Sequence, residues 1–126
     1  MSEPNERAAR GGITVLADVL VEPQTWGRLE WMVSGAIGNS DTLTVGKCFI
    51  RPGEQNPVHH HPNCDEVLHV IKGRIRHRVG AEYVEMTTGD TISIPKGSIH
   101  NALNIGDTEC ELLICFDTAA REVVGE

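Results

Sequence analysis

Aromatic side chains are scarce in this sequence: Trp26, Trp31, Phe49, Tyr83 and Phe116 are the whole supply. So few rings make poor stacking platforms for bases or sugars. Clusters of Lys and Arg are missing as well, and the net charge is −7. A surface without grouped cations does not neutralise phosphates, which argues against nucleic acid or an anionic membrane surface as partner. No apolar stretch approaches the roughly 18 residues of a membrane span. The first twelve residues are polar rather than signal-like, so the expected location is the cytoplasm. Cys48, Cys64, Cys110 and Cys115 form no CxxC pair and no zinc-ribbon spacing. They are expected to be free, mostly buried thiols. Cys64 sits in a turn and has a second reading as an oxidation sensor. A sustained 3.6-residue apolar period is also absent, so helix content should be low.

What the chain does contain is a succession of short β-prone runs separated by Gly, Pro and Asn/Asp turns. They fall at 14–20, 29–33, 42–50, 66–72, 74–79, 82–86, 91–95, 100–105 and 111–116. This spacing is the signature of an all-β sandwich or barrel. At 126 residues there is room for one core of ordinary size. Residues 1–12 end in a glycine pair and read as a mobile tail, leaving 13–126 as a single domain. The run Arg74 to Val79 alternates cleanly, with three arginines on one face and Ile75, His77 and Val79 on the other. That predicts a half-buried strand with His77 pointing inward, where it is either a satisfied core residue or a proton donor beside a site. Lys72–Gly73–Arg74 predicts a bend between two strands.

Six histidines are present, and three are consecutive. In an extended segment His59 and His61 leave the same face, about 6.6–7 Å apart at Cα, while His60 points the other way. Two imidazoles so placed can converge on one ion at about 2.0–2.1 Å. The turn Pro62–Asn63–Cys64–Asp65 returns the chain at Glu66, a hard oxygen donor, and His100 follows a second turn at Pro95–Lys96–Gly97. Three imidazoles and a carboxylate suit one divalent transition metal ion, Fe, Mn, Ni, Cu, Co or Zn, and suit Mg or Ca poorly.

A histidine run alone is weak evidence, because such runs are often only solvated polar surface. The surrounding pattern decides. Gly53, five residues, His59, one, His61, four, Glu66, six, Gly73 resembles the first motif of the cupin superfamily with every defined position filled. Gly89, five residues, Pro95, one, Gly97, two, His100, three, Asn104 resembles the second. The resemblance covers residues 53–104 and implies a cupin fold, a jelly-roll or double-stranded β-helix barrel of two antiparallel sheets with the metal inside. It further implies that the two motifs supply paired strands, so that His100 faces His59 and His61 across the barrel. Gly53 and Gly89 suit turns with positive φ, and Pro95 ends its strand. Asn104 is expected to have a structural role.

Cupins similar to this one include dioxygenases, decarboxylases, isomerases and lyases. The first reading is therefore a metal-dependent enzyme on a small oxygenated organic substrate, of the dioxygenase type. A redox-neutral isomerase, epimerase or lyase is the second, and a small-molecule- or metal-binding sensor without turnover is the third. His77 and Lys47 are the catalytic candidates. Lys47 shares parity with Val45 and Phe49 and lies either in the cavity, binding an anion, or on the outer face. His69 faces away from Glu66, towards packing or a subunit contact. Val45, Leu68, Val70, Ile75 and Val79 are expected to line an aliphatic cavity. The resemblance also implies a homodimer, with outward Val67 and Ile71 covered by a second subunit.

Overall fold

Alternation in the sequence becomes alternation of burial. Cys110, Leu112, Ile114 and Phe116 are buried while Glu111, Leu113 and Cys115 between them are half-exposed. The same period-two pattern buries Glu66, Leu68 and Val70 on one strand and Ile75 and His77 on the next. Such rows each need a facing row to cover them, and two sheets provide it. The computed structural model describes residues 13–125, so the expected tail at 1–12 lies outside the described residues, as does Glu126.

Among the described residues eleven strands follow in order: β1 (Leu20–Gln24), β2 (Gly27–Val33), β3 (Thr44–Ile50), β4 (His59–His60), β5 (Glu66–Lys72), β6 (Arg74–Val79), β7 (Glu82–Thr87), β8 (Thr91–Ile94), β9 (His100–Asn104), β10 (Cys110–Phe116) and β11 (Val124–Gly125). One sheet runs β1-β2-β3-β10-β5-β8 and the other β11-β4-β9-β6-β7, with every pairing antiparallel. The chain crosses repeatedly between the two sheets, and the crossing from β5 to β6 is the bend through Gly73. This is the expected all-β cupin barrel. Its interior is closed by Ile50, Val70, Ile75 and Leu112, none of which reaches solvent. Burying each of these side chains contributes about 1.5–3 kcal/mol.

The turn chemistry agrees with the sequence. Gly53 and Gly89 have φ of +78° and +95°, values at which a Cβ is penalised. Strand β8 stops at Ile94, one residue before Pro95. Asn104 is fully buried and structural: its Nδ2 donates to the carbonyls of Ile50 and Thr108, both at 2.8 Å.

Residues 14–20 depart from expectation. They contain a single 3-10 turn at Leu16–Asp18, and the strand begins only at Leu20. β1 carries Pro23, which an interior strand would reject; β1 lies at the sheet edge, where the missing N–H leaves no ladder bond unmade.

Candidate metal centre

The ligand cluster is assembled from both sheets. His59 on β4 stands directly opposite His100 on β9, and His61 follows one residue after β4 ends. Glu66, the first residue of β5, enters from the other sheet. The paired strands are as expected, but the geometry across the barrel is corrected: His100 is a neighbour of His59 within one sheet, and Glu66 is the residue that faces them. The ring centroids of His59, His61 and His100 lie 4.3–5.2 Å apart. One ligand atom from each of the four residues falls within 4.8 Å of all the others.

The orientation of each ring is fixed from behind. His59 Nδ1 is 2.7 Å from the carbonyl of Pro57, His61 Nδ1 is 2.8 Å from that of Glu122, and His100 Nδ1 is 2.9 Å from that of Ser98. A carbonyl only accepts, so all three Nδ1 atoms carry the proton and donate it. Each Nε2 then points at the cluster, where it would offer its lone pair to an ion once free of a proton, the arrangement metal-binding imidazoles use.

The residues fit a metal ion. His61 Nε2 is fully buried, lies 3.2 Å from Glu66 Oε1, and has no hydrogen-bond partner. A buried nitrogen left in this way costs about 1–3 kcal/mol unless something satisfies it. Donors bonded to one ion at about 2.0–2.2 Å lie at most about twice that distance apart, so the 4.8 Å span closes with a few tenths of an ångström of movement. Electrostatics favour a cation too. Burial disfavours the charge on Glu66, but His100, at 2.9 Å, and His61 outweigh it and hold the carboxyl below the usual range. Burial likewise pushes His100 down, and Glu66 more than offsets it. His59 is pushed down to about 4 by burial, which keeps it neutral and able to ligate.

A cavity of about 390 Å³ opens over the cluster. Its walls include Trp26, Trp31, Leu68, Leu112, Ile114 and Phe116. Of the aliphatic residues expected there only Leu68 is present. Val70 and Ile75 are packed in the core, and Val79 packs against it. Val45 and Lys47 lie on the face of β3 opposite the buried row Thr44, Gly46 and Cys48.

Lys47 therefore does not line the cavity. Its Nζ pairs with Glu111 Oε2 at 2.8 Å on the outer face, and Cys48 takes the inward place. His77 does point inward, is 1% exposed and lines the cavity. Its ring is nearly parallel to that of His100, 6.1 Å away, and neither ring nitrogen has a hydrogen-bond partner. Burial pushes His77 down to about 4, so it is neutral, with one donor and one acceptor unspent. His69 is on the outer face, where Nδ1 lies 2.7 Å from Thr91 Oγ1. The four cysteines are free, and burial pushes Cys64 up to about 11, which removes the thiolate an oxidation sensor needs.

Two contributions to the cavity had little signal in the sequence. The parity of Leu29, Trp31 and Val33 on β2 could have placed Trp31 on an inner face. Arg121 gave none. It lies between β10 and β11 in a segment, residues 117–125, that straps across the ligand cluster. Asn63 fastens this strap by accepting from Glu122 N and donating to the Ala120 carbonyl, both at 2.9 Å. The Arg121 guanidinium lies over Trp31 at 4.4 Å and Phe116 at 5.3 Å.

Comparison with known proteins agrees with this geometry. Residues 46–116 match the family model described as the cupin domain. The chain is similar to the rice (Oryza sativa subsp. japonica) germin-like protein 3-8, 30% identical over 91 residues, covering 68% of this chain and 40% of the relative. It is also similar to the wheat (Triticum aestivum) oxalate oxidase GF-3.8, 27% identical over 105 residues, covering 75% of this chain and 44% of that one. The chain thus spans less than half the length of either. Among solved structures, the formate complex of Lactobacillus farciminis oxalate decarboxylase has the same fold, with TM-score 0.81 and 21% identity over 87% of this chain and 34% of that one.

Proposed function

This chain belongs to the cupin family, and on that premise we propose that it is a metal-dependent enzyme acting on a small oxygenated organic substrate, of the dioxygenase type. The observation that carries the reading is the set of three imidazoles whose Nδ1 atoms are all committed to carbonyls, leaving three Nε2 atoms around Glu66. His59, His61, Glu66 and His100 would hold the ion, drawn from Mn, Fe, Co, Ni, Cu or Zn. An ion with more than four coordination positions supplies Lewis acidity and, for the redox metals, a place where dioxygen and substrate meet. The protein's own part is to orient the ligands, to hold substrate in a largely apolar cavity of about 390 Å³, and to exclude water. A wheat relative named as an oxalate oxidase supports oxygen-using chemistry.

The test is an oxygen electrode with metal-reconstituted protein and a panel of small chelating acids and enols. Oxygen uptake that tracks substrate loss is the expected result. Turnover at the same rate under strict anaerobiosis would overturn the dioxygenase reading.

His77 favours a second reading, redox-neutral isomerisation, lyase chemistry or decarboxylation. A buried neutral imidazole with both nitrogens unspent can accept a proton and return it elsewhere. Deuterium exchange into substrate in the absence of oxygen, lost in His77→Gln, would decide for it. A homodimer forms part of the same proposal: Val67 on the outer face of β5 is 41% exposed. A monomer mass by light scattering at micromolar concentration would remove it.

A further inference from the structure

Arg121 is an unusual resident for an apolar wall. Its guanidinium carbon lies 4.4 Å from the Trp31 ring centre and 5.3 Å from that of Phe116, and Phe116 in turn packs edge-on against the ring of His61 at 5.0 Å. The side chain lines the same cavity as the four ligands. Among the described residues no carboxylate comes within ion-pairing distance of it and no acceptor takes its N–H groups. Glu22, the carboxylate at the cavity mouth, is engaged through Oε1 by the Trp31 indole N–H at 2.9 Å. Contact with ring faces uses none of the five N–H donors of a guanidinium. A half-buried cation without an acceptor gives up part of its hydration uncompensated, and burial here pushes the Arg121 pKa downward.

The charges of the cavity show what would relieve that cost. Imidazoles that ligate an ion are neutral and contribute no charge, and Glu66 contributes one negative charge. A divalent ion among them leaves a net positive charge, to which Arg121 adds another. Glu22, on an exposed edge strand, is screened by solvent. The missing charge is negative, and it must fit between the ligand cluster and the strap.

We propose that Arg121 is the specificity-determining residue of this site, binding the carboxylate of a small anionic substrate whose other oxygens reach the ion. This rests on the metal-dependent reading above and narrows its substrate class to small carboxylates carrying a second chelating group. The two rings restrict where the guanidinium can sit, so that offering a carboxylate two parallel N–H bonds carries a reduced entropic cost.

Malonate and its monoamide, malonamate, are matched probes. They have nearly the same size, and the dianion satisfies both the ion and Arg121 while the monoamide satisfies only one with a carboxylate. Their dissociation constants are to be measured by titration calorimetry on the full chain loaded with Mn²⁺, with metal content determined in parallel. The expected result is tighter malonate binding by on the order of ten- to a hundredfold, a preference that collapses in Arg121→Met at unchanged metal content. Arg121→Lys, which keeps the charge and loses the fork, should retain part of it. Should Arg121→Met fail to load metal, Arg121→Gln gives the same comparison. Equal affinities in the wild-type protein, or a preference that survives loss of the guanidinium, would overturn the proposal. A protein that shows the preference and turns over no carboxylate would lose the enzymatic reading and keep this one.

Discussion

His61 presents its metal-facing nitrogen because Glu122, 61 positions further along the chain, accepts the proton on the other one at 2.8 Å. The ligand comes from the end of β4, but its tautomer is set by the main chain of the strap. Deleting residues 121–126 should therefore weaken metal binding although all four ligands remain. The expected loss is about 10- to 100-fold in affinity, read by competition with a chromophoric chelator. Unchanged affinity would show that the strap does not orient His61.

Glu66 is the only anionic ligand, and it is buried. Glu66→Gln keeps the shape and removes the charge, so the protein should fold but retain little metal after gel filtration. Elemental analysis beside His59→Ala/His61→Ala provides the scale. Stoichiometric metal in Glu66→Gln would remove the carboxylate from the ligand set.

His77 gives the metal-free protein a pH dependence of known sign. Its folded-state pKa, about 4, lies below its ordinary value of 6.5, so the unfolded chain takes up a proton first as pH falls. The contribution of neutral His77 is complete above about pH 6.5 and is lost as pH drops through the window towards 4. Urea unfolding at pH 7, 5.5 and 4.5 should show stability falling with pH, by roughly 1–3 kcal/mol from this group. His77→Gln should flatten the slope, leaving the part owed to His59, which is shifted in the same direction. An unaltered slope would place the acid sensitivity elsewhere.

Gly46 makes room for Trp31. A Cβ there would come within 2.4 Å of the indole and 2.6 Å of the Glu30 carbonyl. Gly46→Ala should cost about 1–3 kcal/mol through overpacking, and should change the Trp fluorescence because the displaced ring lines the cavity. Wild-type stability in a denaturant titration would contradict this.

Lys47→Met serves as the negative control. The Lys47–Glu111 pair is partly exposed and on the outer face, so the change should alter stability by about 0.2–1 kcal/mol. Metal content and any turnover should remain within twofold, whereas a large loss of activity would restore Lys47 to the site.

The barrel was legible in the sequence because its strands are long enough to show parity. Arg74 to Val79 declares its two faces outright, and the two motifs place every ligand. Parity was ambiguous on β3. There Val45 and Phe49 are the apolar residues, yet the inward row is Thr44, Gly46 and Cys48 because Trp31 from the neighbouring strand fills the space above Gly46. A small residue facing a large one across strands leaves no trace in one strand's own pattern. β1 was displaced for a similar reason: its existence depends on pairing with β2, and its proline is acceptable only at an edge. β4 and β11, two residues each, are too short to carry a period. Arg121 had no repeat or motif around it, and only the path of the strap brings it over the cavity.

That path separates two inheritable properties. The groups that would hold the ion sit on β4, β5 and β9 and in the turn beside them, while Arg121, Val123 and Gly125 reach the cavity from the strap. What the strap gives His61 is a carbonyl, which every amino acid has. Side chains along residues 119–123 can therefore be exchanged, by mutation or by grafting from another barrel, without rewriting the ligand set. In such an arrangement a lineage can change what it recognises while leaving the chemistry in place.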